Sequence, residues 1–217
     1  EYLDVLEAVR NLDKVKKVFI RSGIRYDYLL ADPEHNKFIE ELCKHYVSGT
    51  LKVAPEHIAP GVLKCMHKSS KDVFLKFAEK YKKTNERIGK KQYLIPYLIS
   101  SHPGSTMKEA VELALFLKDY GFVPDQVQDF YPTPGTLATC MYYTELDPLS
   151  MKPVYVAKNM EEKKMQRALI HFHKPENRKL AEKALRTAGR EDLIPVFFGT
   201  KKSAGNRPAG GKSNGNR

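Results

Sequence analysis

The sequence predicts an α/β fold, in which mostly parallel strands alternate with helices. Two observations carry this prediction. Helical and strand-like patterns alternate as α-β-α-β-α-β-α-β up to residue 131 of the 217 residues. The hydrophobic content of 41% is enough to bury one sizeable core. Such an alternation implies right-handed crossovers, with the helices outside the sheet.

The first predicted elements are an amphipathic helix over residues 1–13 and a buried strand over residues 15–22. A second helix follows Asp32, Pro33 and Glu34. These three residues supply an N-cap, a proline for the first helical turn and an acid near the positive helix end. The predicted sheet therefore begins at residue 15.

The middle of the chain predicts two more strands and two more helices. Residues 51–55 and 93–99 are strand-like, whereas residues 60–66 and 72–88 have helical spacing. Pro96 lies inside the second of these strands, and a proline removes one hydrogen bond from a ladder. We therefore expect a bulge beside Pro96.

The remaining elements begin with a capping box. Thr106 and Glu109 form this box and open a helix that runs through Tyr120. Residues 125–131 predict the fourth strand. The pattern then predicts a short helix after residue 135, an irregular segment through residue 156, and helices near 159–173 and 176–188.

These elements predict three parts of the chain. Residues 1–144 form the α/β part, residues 145–200 a helical C-terminal extension, and residues 201–217 a basic tail. Glycine, asparagine, serine, lysine and arginine dominate the tail, so we expect it to be disordered. The chain starts at Glu1, inside a helical pattern, and we expect that it is cut from a longer protein.

The charge balance allows a polyanionic partner without requiring one. The 37 Lys and Arg residues outnumber the 26 Asp and Glu residues, which gives a net charge of +11. Part of this excess belongs to the tail, which contains no acid and carries Lys201, Lys202, Arg207, Lys212 and Arg217. The charge left for the folded part is modest for a dedicated nucleic-acid-binding protein.

The cellular compartment is predicted from the cysteines and from the apolar runs. Three widely spaced cysteines give no disulfide framework, which favours a reducing compartment. The sequence has no apolar run of about 20 residues, the length that crosses a bilayer, and no signal peptide opens it. We therefore expect a cytoplasmic protein without a membrane partner.

Polar residues follow all four predicted strands, where active sites of parallel α/β folds lie. A histidine or arginine at such a place is more often a turn or surface residue than a ligand, but four successive polar strand ends favour one common site. The candidates for this site are Arg21, Ser22, Glu56, His57, Ser100, Ser101, His102, Gly104, Tyr131 and Pro132.

Several long strings around these positions carry a family resemblance. They read KVFIRSGIRYDYLL, LKVAPEH, YLIPYLISSHPGST, QVQDFYPTPGTLATCMYYT and GREDLIP. This wording is similar to that of the YgiQ family of uncharacterised radical S-adenosylmethionine (SAM) proteins. The resemblance covers residues 1 to about 198.

The resemblance implies a fragment of a parallel (β/α) barrel of the radical SAM type, namely its strands three to six, with a helical C-terminal extension. It also implies a parent enzyme that binds SAM and a [4Fe–4S] cluster and generates a 5′-deoxyadenosyl radical on an unknown substrate. The family holds its cluster with a CxxxCxxC motif. Cys43, Cys65 and Cys140 do not have that spacing, so we expect no cluster in this chain and no activity from it alone.

The resemblance also implies roles for the candidate residues. Arg21, Ser22, Glu56 and His57 match positions that contact the SAM carboxylate and ribose hydroxyls, where a guanidinium and a carboxylate acceptor are chemically suited. The turn formed by Ser100, Ser101, His102 and Gly104 matches the place where adenine packs on backbone, and Tyr131 and Pro132 match the residues that complete the adenine slot.

A nucleic-acid-binding module is the alternative function. It rests on the net charge and on Lys163, Lys164, Arg167, Lys174, Arg178 and Lys179 in the last two predicted helices. Acidic residues interleave with these cations, which is also typical of an ordinary solvated face. The expected partner of the protein is an unknown substrate, either RNA or protein. We also expect self-association through an exposed strand edge, because exposed edges template association.

Overall fold

The protein has an α/β fold built on a small parallel sheet, as predicted. The computed structural model describes residues 1–124 and 127–199. Its strands are β1 (Thr50–Glu56), β2 (Tyr93–Ser100) and β3 (Val127–Asp129), and they pair in parallel in the order β1-β2-β3. Residues 125 and 126 of the fourth predicted strand and the predicted tail over 201–217 lie outside the described residues.

Helices surround this sheet in the order that the sequence predicts, with two additions. The short helix α2 and the terminal helix α10 are not predicted. The helices are α1 (Tyr2–Arg10), α2 (Tyr26–Ala31), α3 (His35–Glu41), α4 (Pro60–Cys65), α5 (Lys71–Arg87), α6 (Met107–Tyr120), α7 (Leu137–Thr144), α8 (Met160–Ile170), α9 (Arg178–Thr187) and α10 (Ile194–Phe198). In the described part of the chain, no helix combines the length and the apolar character that a membrane span needs.

The predicted strand over residues 15–22 is wrong. This segment is extended and runs beside β1, but it forms no ladder. Its Ile20 amide donates to the Tyr46 carbonyl at 2.9 Å, and Ile24 forms an isolated bridge with Val53. Val18, Ile20 and Ile24 pack against the core beside β1. Phe19 is 42% exposed. The physical reason is that the Ile20 amide donates to the Tyr46 carbonyl, which lies before β1, so the segment pairs with β1 only at Ile24.

Aromatic rings from α2 and α5 form one core beside β1. Tyr26 packs against Phe74 and Phe77, with ring centroids 5.7 and 5.8 Å apart, and Phe77 stacks on Tyr81 at 6.1 Å. All four rings are at least 96% buried. This core explains α2, because burial of Tyr26 and Leu29 stabilises a helix too short to be stable by itself.

The C-terminal helices pack on α6 and form a second core. Small side chains, including Ala110, Ala114, Ala168 and Ala184, let these helices approach closely, and Leu169 is fully buried among them. The predicted capping box fixes the start of α6: the Thr106 side chain accepts from the Lys108 amide, and Glu109 accepts from the Thr106 amide. This packing carries α8 to the end of β3.

The bulge predicted beside Pro96 is present, but the extra residue lies in β1. Val53 pairs with Pro96, and the next pair in the register is Glu56 with Leu98. Between these two pairs, β1 advances by three residues and β2 by two. A proline in β2 cannot donate to β1, and the neighbouring strand absorbs the irregularity.

Candidate functional site

The carboxyl ends of the three strands meet at one cavity of about 430 Å³. Ligands of parallel α/β folds bind at this edge of the sheet. The lining includes three of the sequence candidates, and several residues that the sequence analysis did not select. They are Glu56, Cys65, Met66, His67, Ile99, His102, Gln128, Asp129, Phe130, Tyr131, Thr133, Thr136, Leu137 and Ala138.

Glu56 enters the cavity from the end of β1 in a strained backbone conformation. Its φ is 62°, and the His57 amide donates to the Pro55 carbonyl at 2.7 Å, which closes a three-residue turn around Glu56. The Lys68 ammonium lies 3.1 Å from Glu56 Oε1, and only about a quarter of the Glu56 side chain is exposed. Positive φ at a non-glycine residue is costly and concentrates at functional sites.

β2 ends in a second strained turn. Ser101 has a φ of 58°, and its buried Oγ has no hydrogen-bond partner among the described residues. His102 is 5% exposed and donates from Nδ1 to the Pro103 carbonyl at 2.9 Å, which leaves Nε2 as the acceptor nitrogen. Burial lowers the pKa of His102, although the Pro103 carbonyl acts in the opposite direction. The imidazole is therefore neutral near neutral pH.

Asp129 brings a fixed carboxylate to the end of β3. The Ser100 hydroxyl donates to its Oδ1 at 2.5 Å, and Arg167 of α8 donates to its Oδ2 at 2.8 Å. Beside it, the Phe130 ring packs edge-on against His102 with centroids 5.0 Å apart. The sequence analysis missed Asp129 as a site residue, because nothing in the sequence shows that α8 folds back onto β3.

His57 has a structural role in the turn after β1 and does not line the cavity. Its side chain is buried, and its Nδ1 accepts a hydrogen bond from the Ala59 amide at 3.0 Å. Because a backbone N–H can only donate, Nδ1 carries no proton in this fold. Burial, with a smaller contribution from His102, lowers the pKa of His57 to about 3.

Ser100 and Gly104, at the two ends of the turn after β2, contribute to the site indirectly. Ser100 is buried against Asp129, and Gly104 has a φ of 89°, which favours glycine. A Cβ at Gly104 would lie 3.0 Å from Cys65 Sγ, and the Gly104 amide donates to the Tyr155 carbonyl at 2.7 Å. Gly104 therefore holds the turn against α4 and does not face the cavity.

The remaining candidates divide into one that lines the cavity and three that do not. Tyr131 lines it and is 74% exposed. Pro132 is half-buried outside the lining. Arg21 and Ser22 are exposed in the extended segment beside β1 and are also absent from the lining. The structure thus brings together Glu56, His102 and Tyr131.

The cysteines of the chain do not fit an iron–sulfur cluster. Cys43 is buried, and burial raises its pKa to about 11, which disfavours the thiolate that binds iron. Cys65 is half-buried and Cys140 is exposed. Across residues 1–124 and 127–199, no three His, Cys, Asp or Glu side chains are grouped so that they could hold a metal ion.

Three of the six basic residues that the sequence analysis names in the last two predicted helices are engaged within the protein. Lys163 donates to the Tyr142 hydroxyl at 3.0 Å and lies 4.9 Å from the centroid of that ring. Arg167 pairs with Asp129, and Arg178 pairs with Glu182 at 2.9 Å. Half of the cations that suggest a nucleic-acid surface here are therefore neutralised or packed on aromatic rings.

Comparisons with known proteins place the chain among uncharacterised relatives. Residues 125–203 match a domain of unknown function, DUF3362. A protein from Clostridium perfringens strain SM101 is 51% identical over 226 aligned positions, covering 100% of this chain and 34% of the relative. This relative is named a UPF0313 protein. Another UPF0313 protein, from Clostridium botulinum strain 657, is 54% identical over 194 positions, covering 89% of this chain and 30% of the relative.

The chain thus spans about a third of the length of the UPF0313 proteins that it matches. The similarity extends over both the α/β part and the C-terminal helices, whereas the match to DUF3362 begins just before β3. The matched region therefore includes β3, the cavity-lining residues within 128–138, and α8.

Proposed function

We propose that the cavity at the strand ends binds the adenosine moiety of SAM, and that the chain is the C-terminal part of a radical SAM enzyme with a partial (β/α) barrel. The observation that supports this most is the convergence of three parallel strand ends on one cavity that combines carboxylates with aromatic and apolar walls. This combination suits a nucleoside, which has hydroxyl donors at one end and a flat ring at the other.

Polar and apolar groups of the cavity match the two ends of adenosine. Ribose hydroxyls donate well to carboxylates, and the Glu56 carboxylate lies at the carboxyl end of β1, with Oε1 beside Lys68. Adenine needs a flat apolar slot with a few polar groups. Ile99, Phe130 and Tyr131 provide such walls, and the His102 imidazole provides a neutral ring nitrogen beside them. Asp129 supplies no free charge to a ligand, because Ser100 and Arg167 already occupy its carboxylate oxygens.

The residues of this chain do not fit the [4Fe–4S] cluster, so the proposal for this chain ends at SAM binding. Formation of a 5′-deoxyadenosyl radical by the parent enzyme would require cluster ligands that Cys43, Cys65 and Cys140 do not provide. The role of the chain in that enzyme would be to bind and orient the nucleoside end of SAM.

Calorimetric titration tests the proposal. SAM, S-adenosylhomocysteine and adenosine are each expected to bind the chain at one saturable site, whereas methionine alone gives no heat of binding at the same concentrations. Adenosine binds because the contacts just described are all made to the nucleoside. Absence of saturable binding by any adenosyl compound, or binding of methionine without adenosine, would contradict the proposed function.

A further inference from the structure

A second cavity, of about 470 Å³, lies at the opposite end of the sheet from the candidate functional site. The loops that precede β1 and β2 form it, together with the extended segment beside β1. β1 has seven residues, so roughly 23 Å separate the two ends of the sheet at about 3.3 Å per residue. The residues of the two cavities do not overlap.

Cations dominate the lining of this second cavity, which we call the basic cavity. It is lined by Arg10, Lys16, Lys17, Lys44, His45, Lys90 and Lys91 among its charged or titratable residues, and none of its lining residues is an acid. The rest of the lining includes Phe19, Ser48, Gly49 and Gln92. No comparable one-sided concentration of charge occurs around the candidate functional site.

Some of these cations are used within the protein. Lys44 pairs with Glu40 at 2.6 Å, and Lys90 donates to the Cys43 carbonyl at 3.2 Å, where it caps the π-helical turn over Leu42–Tyr46. Arg10 lies 5.7 Å from the centroid of the Tyr46 ring. These three residues have structural partners, so their charges do not by themselves indicate a ligand.

Three other lysines have no such partner. Lys16, Lys17 and Lys91 are exposed, and among the described residues the structure records no ion pair for them. Lys16 and Lys17 come from the extended segment, and Lys91 comes from the loop before β2, so two chain segments distant in sequence place cations on one cavity. Like charges on one cavity repel one another. An anion bound between them offsets this repulsion, so such a cavity favours an anionic ligand.

Phe19 adds an aromatic surface to this cavity. It is 42% exposed, follows Lys17 by two residues and lies in the lining with the lysines. Single-stranded nucleic acids are bound by this combination, in which cations follow the phosphates and an aromatic ring stacks on a base. An inorganic anion would use the lysines but not the ring.

We propose that the basic cavity binds the phosphate backbone of a single-stranded nucleic acid through Lys16, Lys17 and Lys91, with a base stacked on Phe19. This inference does not depend on SAM binding. It differs from the alternative function predicted from the sequence, because it places the surface at the amino ends of β1 and β2 and away from α8 and α9.

The test measures binding of a fluorescent 20-nucleotide single-stranded RNA to the 217-residue chain by anisotropy, at several salt concentrations. In the triple variant Lys16→Gln, Lys17→Gln, Lys91→Gln, we expect the affinity to fall about 10- to 50-fold at 0.15 M salt. The salt dependence should also become weaker, by about 2 in the slope of log affinity against log salt, since each single-strand phosphate contact contributes roughly 0.7. Phe19→Ala should weaken binding about 5- to 150-fold, the range of base stacking.

A charge-matched control separates this site from the rest of the basic surface. The triple variant Lys108→Gln, Lys164→Gln, Lys179→Gln removes the same charge from exposed positions outside the basic cavity and keeps residues 201–217 unchanged. It should change the affinity less than twofold. Thermal melts of both triple variants should match that of the wild type.

Several outcomes would overturn the proposal. Equal losses in the two triple variants would show a diffuse charge effect. An affinity that Phe19→Ala leaves unchanged would contradict the stacking of a base on Phe19. Equally tight and equally lysine-dependent binding of poly-glutamate would show a general polyanion site. No RNA binding at 50 mM salt would remove the site altogether. SAM titration of the same variants should be unchanged, so failure of this proposal is distinguishable from failure of the proposed function.

Discussion

Lowering the pH from 6.5 to 4.5 is expected to reduce the free energy of unfolding by about 2 kcal/mol through His57 alone. The pKa of His57 is lowered to about 3 in the fold, from about 6.5 in the unfolded chain. Between these two values the unfolded chain binds one more proton than the folded protein, so stability is lost as the pH falls. The slope is about 1.4 kcal/mol per pH unit.

The physical reason lies in the turn after β1. Protonation of His57 at Nδ1 would place an N–H against the Ala59 N–H that now donates to it, inside a site that is 2% exposed. His171 also makes the free energy of unfolding fall as the pH falls, because burial lowers the pKa of His171 to about 4. Carboxylates whose pKa values are lowered, such as Asp27 and Glu40, contribute mainly below about pH 4.

His57→Asn tests this contribution by urea denaturation at pH 6.5, 5.5 and 4.5. The asparagine oxygen can accept from the Ala59 amide as His57 Nδ1 does, but it does not titrate in this range. The variant should lose about 1.4 kcal/mol per pH unit less than the wild type. His67→Asn is the control, since His67 is exposed and its φ of 51° suits asparagine. Parallel slopes in His57→Asn and wild type would refute the buried, unprotonated state of His57.

Glu56→Gln is expected to weaken SAM binding about 10- to 150-fold. The substitution keeps the shape of the side chain and removes a charged acceptor, and a charge-assisted hydrogen bond contributes roughly 1.5–3 kcal/mol. Stability should fall by no more than about 1 kcal/mol from the loss of the partly exposed pair with Lys68. Calorimetry with S-adenosylhomocysteine and a thermal melt of each variant measure the two effects.

Lys68→Gln is the matched control for Glu56→Gln. It breaks the same ion pair but leaves the Glu56 carboxylate in the cavity. If Glu56 contacts the ribose, the affinity falls in Glu56→Gln and is kept in Lys68→Gln. Lys68→Gln also removes the hydrogen bond of Lys68 to the Ala54 carbonyl, so the two variants are compared by affinity. If Glu56 serves only the ion pair, neither variant loses affinity, and Glu56 then has no place in the ligand site.

Local sequence signals predicted the elements whose stability is itself local or strongly periodic. The capping box of Thr106 and Glu109 placed α6 correctly, and a continuous apolar run placed β2. The segment over 15–22 has the same kind of strand pattern, yet it forms no ladder. A strand must also pair with its neighbour over several residues. The sequence of the segment alone does not show whether that pairing forms.

Of the candidate site, the sequence likewise predicted the residues whose position depends on the strand ends alone. Glu56, His102 and Tyr131 lie at or within two residues of strand ends, where the sequence placed the candidates, and they line the cavity. His57 and Ser101 also follow strands, but the positive φ of the residues Glu56 and Ser101 turns the chain at these ends, and the direction of such turns is not readable from composition. Asp129 required knowledge of the packing of α8 against β3.

Photolabelling tests the central claim, that adenosine binds at the carboxyl ends of the strands, most directly. The chain is irradiated with the 8-azidoadenosyl analogue of SAM, and the modified peptide is identified by mass spectrometry, with and without excess SAM. We expect a SAM-protected label within residues 128–138, which contain Phe130 and Tyr131 in the cavity wall. A label on other residues, or one that SAM does not prevent, would contradict it.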